Sequence, residues 1–116
     1  MGWAATEFET IDLGDERRNK RAIRLVERLS AQPTASVPQA CGDWADTIAA
    51  YRFFNNEAVD WRAILGAHTD CAMTRMAAHE VVLCIQDTTE LDFNGQEASG
   101  LGPLGYEAQR GMYAHP

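Results

Sequence analysis

The sequence predicts an α+β protein in which a helical N-terminal part, residues 1–78, precedes the first strands of a second domain, residues 79–116. Apolar residues recur at helical spacing in the first part. A continuous apolar run, an alternating segment and the turn dipeptide Asn94-Gly95 mark strands in the second part. The chain has 116 residues, of which 46% are apolar, and this is enough for a packed core.

Three helices are predicted from aspartates that precede helical patterns, because an aspartate oxygen accepts hydrogen bonds from the free N–H groups of a first turn. The caps and their helices are Asp15 before residues 16–31, Asp43 before residues 44–54, and Asp60 before residues 61–78. Residues 1–12 are expected to be partly ordered. Residues 32–42, with two prolines, are predicted to form a link between helices.

The apolar residues of the second and third helices predict which face of each is buried. In the second helix the predicted stripe is Trp44, Ile48, Tyr51 and Phe54. In the third helix it is Trp61, Ile64, Leu65, His68, Ala72 and Met76. His68 is interpreted as a histidine at the edge of the core.

Strands are predicted after residue 80. The run 81–85 is apolar throughout, which is typical of a buried strand. Residues 90–93 alternate and predict a second strand, residues 94–111 are rich in glycine and predict a loop, and residues 111–115 begin a third strand.

The charge is unevenly distributed along the chain. The net charge is −7, but six of the ten basic residues lie between positions 17 and 28, so residues 15–31 carry +3 and the remainder −10. A basic element on an acidic body is typical of nucleic-acid binding. No apolar window is long enough to span a membrane, and no secretory leader is visible, so a cytoplasmic location is predicted. Three cysteines without a CxxC pair argue against a disulfide framework or a zinc site.

Four arginines define one face of the first predicted helix, opposite its apolar residues. Arg17, Arg21, Arg24 and Arg28 follow the spacing i, i+4, i+7 and i+11. They repel one another, and Glu27 is the one compensating acid expected nearby. The stripe is either a solvated face or a phosphate-binding surface, and the second interpretation requires that the protein's own acids leave the guanidinium groups accessible. Arg52 in the next helix either stacks on Trp44 or Phe53 or reaches a nucleic acid.

Asp87 is the candidate for metal chemistry. It follows the predicted buried strand 81–85, where a carboxylate would be held rigidly for a cation such as Mg²⁺, with Thr88 and Thr89 orienting it. The alternative is an aspartate in an ordinary turn. Alternation places Glu90 and Asp92 on the opposite face, so a complete carboxylate site is not expected within these residues.

Four segments together resemble the start of Tn-five-like bacterial transposases of insertion-sequence family four. The similarity extends from about Trp3 to His115. The segments are LGDERRNKR at 13–21, SVPQAC at 36–41, AAYRFFNN at 49–56 and IQDTT at 85–89.

The resemblance implies a helical domain that binds double-stranded DNA at terminal inverted repeats, followed by an RNase H-like α/β core that is truncated here. In that family three carboxylates bind two divalent metal ions, and Asp87 would be the first, with Mg²⁺ as the cofactor. Arg17, Arg18, Arg21 and Arg52 correspond to DNA contacts. Together with the charge pattern, the predicted DNA-binding residues are Arg17, Arg18, Lys20, Arg21, Arg24, Arg28 and Arg52.

The predicted function is therefore that of an N-terminal transposase fragment that binds inverted repeats in cut-and-paste transposition and does not cleave DNA alone. Two alternatives stay open. One is a truncated module that dimerises with a full-length transposase and inhibits it, and the other is catalysis with the missing segments supplied in trans. A homodimer or a heterodimer with the full-length protein is the expected assembly.

Overall fold

The computed structural model describes residues 2–105 and 109–115, which form two compact units, residues 1–80 and residues 81–116. Helices make up the first unit and a small antiparallel sheet the second, so the predicted α+β class is confirmed. The functional boundary after residue 78 stays a prediction. The elements are α1 (Trp3–Glu7), α2 (Glu16–Ala31), α3 (Val37–Cys41), α4 (Trp44–Phe54), α5 (Trp61–Ala77), β1 (Thr89–Asp92), β2 (Gly102–Pro103) and β3 (Arg110–Ala114).

The three long helices begin at the predicted aspartates. The side chain of Asp15 accepts the backbone N–H of Arg17 at 2.7 Å, and the side chain of Asp43 accepts that of Asp46 at 2.7 Å. Asp60 caps α5 in the same way at 2.9 Å. Because each cap satisfies an N–H group that has no partner within its helix, the caps fix where α2, α4 and α5 start.

The predicted link at 32–42 contains a helix, α3, that the sequence reading missed. Ser36 and Gln39 form a capping box, in which the backbone N–H of each is bound by the other's side chain. Gly42 follows the helix with φ of +82°, a left-handed conformation that favours glycine. The prolines and the serine were read as turn signals, although Pro38 stands where a helix tolerates proline, in its first turn.

Small side chains form much of the core of residues 1–80. Ala4, Ala22 and Ala50 are buried where α1, α2 and α4 meet, and Leu25 and Phe53 fill the space between them. Ala67 contributes from α5. Alanine at these positions lets the helix backbones approach closely, and the larger residues fill the gaps that remain.

The predicted stripes of α4 and α5 are wrong at most positions, although Ile48, Ile64 and Ala72 are half-buried and Ile64 packs against the core. The buried residues of α4 include Thr47, Ala50 and Phe53, whereas Trp44 is 77% exposed. In α5 the fully buried residue is Ala67, and large residues such as Trp61 are exposed. An aromatic stripe predicts burial only if another surface covers it, and among the described residues the smaller side chains face the neighbouring helices instead.

The predicted strand at 81–85 is also wrong. These residues belong to no helix or strand, and Val81 and Ile85 are 77% and 86% exposed. The sheet has the order β1-β3-β2, with both outer strands antiparallel to β3. In the described part of the second unit, no strand pairs with the run 81–85. The predicted strands at 90–93 and 111–115 are confirmed within one residue at each end, and β2 lies inside the predicted loop.

Among the residues that the structure describes, none of the helices combines the length and apolar character needed to cross a bilayer.

Glu7, at the end of α1, is held by three side chains of α5. Arg75 donates two hydrogen bonds to its carboxylate, at 2.6 and 3.0 Å, and His68 Nδ1 lies 2.5 Å from Oε1. The Cys71 thiol donates to Oε2 at 3.4 Å. The hydrogen bonds from Arg75 are the main reason that the pKa of Glu7 falls to about 2, against an opposing effect of burial. His68 thus lies at the edge of the core, as expected, and binds α1.

Replacing Glu7 with Gln is expected to lower the melting temperature most at neutral pH. The pKa of Glu7 in the folded chain, about 2, is below its ordinary value of 4.5, so its stabilising effect is present above about pH 4.5 and is lost as the pH falls towards 2. Circular-dichroism melting curves of both proteins from pH 2 to 7 should therefore converge in acid. Glu9→Gln, an exposed neighbour, is the control and should show little change. A difference in melting temperature between Glu7→Gln and the wild type that does not vary with pH would contradict this account.

At Gly111 the backbone of β3 lies close to the backbone of β1. A Cβ atom at this position would lie 1.8 Å from the carbonyl oxygen of Leu91, on the backbone of the neighbouring strand. Gly111→Ala is therefore expected to separate the two strands and to abolish slow amide exchange in β1 and β3. Gly102→Ala is the matched control, since a Cβ there meets no atom within 4 Å. Unchanged protection in Gly111→Ala would show that the strands do not pair in this register.

Candidate nucleic-acid interface

Helix α2 separates its charged and apolar faces as the sequence predicts. Ala22 and Leu25 are buried against α1 and α4, while Arg17, Arg24 and Arg28 are exposed on the opposite side. Burial of one face fixes the rotation of the helix about its axis, and so it fixes the direction in which the arginines project. The row extends over twelve residues, or roughly 16 Å between Arg17 and Arg28 at the helical rise of about 1.5 Å per residue.

A carboxylate from α4 lies among these arginines, which sequence reasoning did not foresee. Asp46 accepts a hydrogen bond from Arg21 at 3.0 Å and one from Arg24 at 2.6 Å. Arg28 Nη2 lies 3.6 Å from the same carboxylate. The expectation that Glu27 is the one compensating acid is therefore wrong. Asp46 was missed because sequence spacing shows neighbours along one helix, whereas these contacts join Asp46 to arginines that lie 18 to 25 positions earlier in the chain.

Asp46 is held in place by its own helix. It occupies the first turn of α4, where its backbone N–H donates to the Asp43 side chain at 2.7 Å, and its side chain is only 12% exposed. The hydrogen bond from Arg21 is the largest cause of a lowered pKa for Asp46, followed by burial, which opposes it, and the hydrogen bond from Arg24. The carboxylate is consequently ionised at neutral pH.

Asp46 does not sequester the arginines from solvent. The side chains of Arg21, Arg24 and Arg28 keep 31%, 52% and 44% of their surface exposed. A guanidinium group has five N–H donors, and one carboxylate uses only a small share of those that three arginines offer. The three arginines and Asp46 together carry a charge of +2 that faces solvent.

A second group of arginines surrounds a shallow concavity of about 230 Å³ between the start of α2 and the end of α4. Its lining residues are Arg17, Arg18, Arg21, Ala49, Arg52, Phe53 and Asn56. Arg52 is exposed and lines this concavity from α4. Among the described residues Arg62 alone lies over an aromatic ring, that of Trp61, so stacking of Arg52 on Trp44 or Phe53 is not the arrangement found.

The two remaining basic residues differ in their contacts. Arg18 is half-buried, and its Nη1 donates to the backbone carbonyl of Leu13 at 2.8 Å, which ties α2 to the preceding segment. Lys20 is exposed and lies 3.6 Å from Glu16, one turn earlier. Lys20 also lines shallow concavities together with Arg17, Arg21, Arg24 and Arg28.

The structure therefore brings all seven predicted basic residues to α2 and the adjacent end of α4. We call this set the basic surface: Arg17, Arg18, Lys20, Arg21, Arg24, Arg28 and Arg52. With the two acids paired to it, Glu16 and Asp46, it carries a net charge of +5. Residues 1–59 match the family model described as transposase DNA-binding, which is half of the chain. The chain belongs to the transposase DNA-binding family.

The family match covers α1 to α4 and includes every residue of the basic surface. In a transposase DNA-binding domain the partner is DNA, and a surface of this charge suits a polyanion. Phe53, Ala49 and Asn56 were not predicted as site residues. Their signal in the sequence is their position near Arg52: Ala49 and Phe53 lie in α4, and Asn56 follows its end.

Asp87 lies outside the matched range and outside any strand, so its predicted place at a strand end is wrong. It is exposed, and its Oδ1 accepts the backbone N–H of Thr88 at 2.9 Å. The hydroxyl of Thr88 lies 3.0 Å from His115 Nδ1. Within residues 2–105 and 109–115, no three histidine, cysteine or acidic side chains converge on a point where they would hold a metal ion. The donors around Asp87 in this part of the chain therefore do not fit a two-metal site, and we derive no catalytic step from them.

Proposed function

We propose that the basic surface binds the terminal inverted repeats of an insertion sequence, in the manner of the N-terminal domain of a Tn-five-like, DDE-type transposase. The observation that carries the proposal is the grouping of seven basic side chains, with a net charge of +5, on two adjoining helices within the family-matched residues. The four sequence segments that resemble such transposases support the finer assignment.

The dimensions of the basic surface suit a duplex. The row from Arg17 to Arg28 is roughly 16 Å long at about 1.5 Å per residue. The major groove of B-DNA is about 12 Å wide. A helix carrying this row can therefore contact phosphates on both sides of one groove while Arg52, from α4, reaches the backbone near the start of α2.

The acidic character of the rest of the chain does not oppose this function. Charges farther away than the Debye length, about 8 Å at physiological ionic strength, are largely screened. A phosphate at the basic surface therefore responds mainly to the nearby charges, where seven basic side chains outnumber the acids Glu16, Glu27 and Asp46, and less to the net −7 of the whole chain. Acidic surface elsewhere disfavours other orientations on DNA, because it repels the phosphate backbone.

A second candidate function is an interaction module that dimerises with a full-length transposase and inhibits it. The exposed apolar run at 81–85 favours it, since an apolar segment that pairs with no described strand is suited to strand addition. Copurification with a longer relative that persists when the basic surface is mutated would support this function. Loss of copurification in those variants would contradict it.

The metal-binding role of Asp87 and the use of Mg²⁺ stay predictions that rest on the resemblance. They require further carboxylates to join Asp87, and among the described residues no three histidine, cysteine or acidic side chains form such a group. The same holds for catalysis with segments supplied in trans. Nicking of DNA that depends on Mg²⁺ and disappears in Asp87→Asn would establish that role, and nicking that survives this substitution would exclude it.

Removing single arginines of the basic surface is expected to weaken DNA binding and its dependence on salt. If about five residues contact phosphates, log K should fall with log salt at a slope of about −4.5, and each of Arg17→Ala, Arg21→Ala and Arg52→Ala should reduce the slope by about 0.9. Mobility-shift titrations at several salt concentrations measure this, with duplexes of ~30 base pairs taken from the DNA that flanks the coding sequence.

Arg62→Ala is the matched control for these titrations. Arg62 is an exposed arginine in the same unit but on α5, paired with Asp60 and stacked on Trp61, outside the basic surface. Its loss should leave the affinity and the salt slope unchanged. Equal weakening by Arg62→Ala, or binding by the wild type that does not respond to salt, would contradict the proposed function.

A further inference from the structure

We propose that Asp46 is a positioning residue that sets how well the basic surface discriminates between DNA sequences. It holds three arginines in fixed directions and also lowers their attraction for phosphate in general. The inference rests on the proposed DNA-binding function and assigns a role in it to an acidic residue, the type that is ordinarily excluded from a DNA-binding surface.

The first part of the argument is geometric. Arg21 and Arg24 donate to different oxygens of one carboxylate, Oδ1 at 3.0 Å and Oδ2 at 2.6 Å, and Arg28 approaches Oδ2 at 3.6 Å. Arginine is a flexible side chain, and ordering it on binding costs conformational entropy. Because Asp46 is fixed by α4, the three guanidinium groups are ordered before DNA arrives. Ordered donors match one arrangement of base edges and phosphates better than others.

The second part concerns competition. A carboxylate and a phosphate use the same N–H donors of a guanidinium group, so the donors bound to Asp46 are not available to a phosphate. Asp46 also neutralises one of the three positive charges. Asp46 cannot move away from the arginines, because its side chain is only 12% exposed and it lies in the first turn of α4. Binding to an arbitrary duplex therefore gains less from Arg21, Arg24 and Arg28 than three unpaired arginines would provide.

The test compares Asp46→Asn with Glu16→Gln in the full chain. Both substitutions remove one negative charge that is paired with a basic residue of α2, but Glu16 is exposed and bonded only to Lys20 at 3.6 Å. The difference between the variants therefore reports the placement of Asp46 and not its charge alone. The probes are a duplex selected by the wild-type protein from a random library and a scrambled duplex of the same composition.

Asp46→Asn is expected to bind the scrambled duplex about five to ten times more tightly at 0.1 M salt, with a salt slope steeper by about 0.9. Its ratio of affinities for the selected and scrambled duplexes should fall at least about fivefold, the lower end of what one well-placed bidentate contact contributes. Glu16→Gln should strengthen binding to both duplexes alike and leave that ratio unchanged.

The inference is overturned if the ratio of affinities for the selected and scrambled duplexes is the same in Asp46→Asn as in the wild type. It is also overturned if Glu16→Gln changes this ratio as much as Asp46→Asn does. Either result would leave DNA binding itself established. If the wild type binds neither duplex, the proposed function is overturned. If the wild type binds DNA but selects no sequence from the library, the proposed sequence preference is overturned. Circular dichroism checks that each variant is folded.

Asp46→Glu provides an independent test, because it keeps the charge and moves the carboxylate by one methylene. It should lower the affinity ratio without changing the salt slope. If Asp46→Asn and Asp46→Glu both unfold the chain, Asp46 acts on stability and the inference is wrong.

Discussion

One buried carboxylate joins the two helices on which the DNA-binding surface is built. Asp46 extends from α4 to Arg21, Arg24 and Arg28 of α2. Its negative charge reduces the repulsion among these three arginines. Removing one partner of such a buried arrangement leaves charge uncompensated, so each group depends on the others. The packing of Ala22, Leu25, Ala50 and Phe53 brings the helices together, and Asp46 then sets the direction of the charged side chains.

Interactions between sequence neighbours were the part of the structure that could be predicted. The caps at Asp15, Asp43 and Asp60 act within three residues, so the long helices and the rotation of α2 follow from the sequence. Six of the seven basic residues were predicted because charge and spacing are both visible in the sequence, and Arg52 was predicted from the family resemblance. Asp46 was not, since its partners are brought near it only by the packing of α4 on α2.

Burial was predicted less well, because it depends on what covers a side chain. Trp44 and Trp61 have the spacing of core residues, yet both are exposed in the described part of the chain. The run 81–85 has the composition of a buried strand, but no strand in the described part of the chain pairs with it. In each case the pattern describes what a segment can bury, whereas the fold determines whether a second surface is there to receive it.

The contact between Glu7 and Arg75 has a consequence for the order in which the helices assemble. It closes a loop of nearly seventy residues, whereas α2, α3 and α4 contact neighbours that are close in the chain. Long loops cost more entropy to close, so short-range contacts form with less loss and tend to come first. On the ribosome α1 is synthesised well before Arg75, and during that interval the carboxylate of Glu7 lacks the partners that α5 provides in the folded chain.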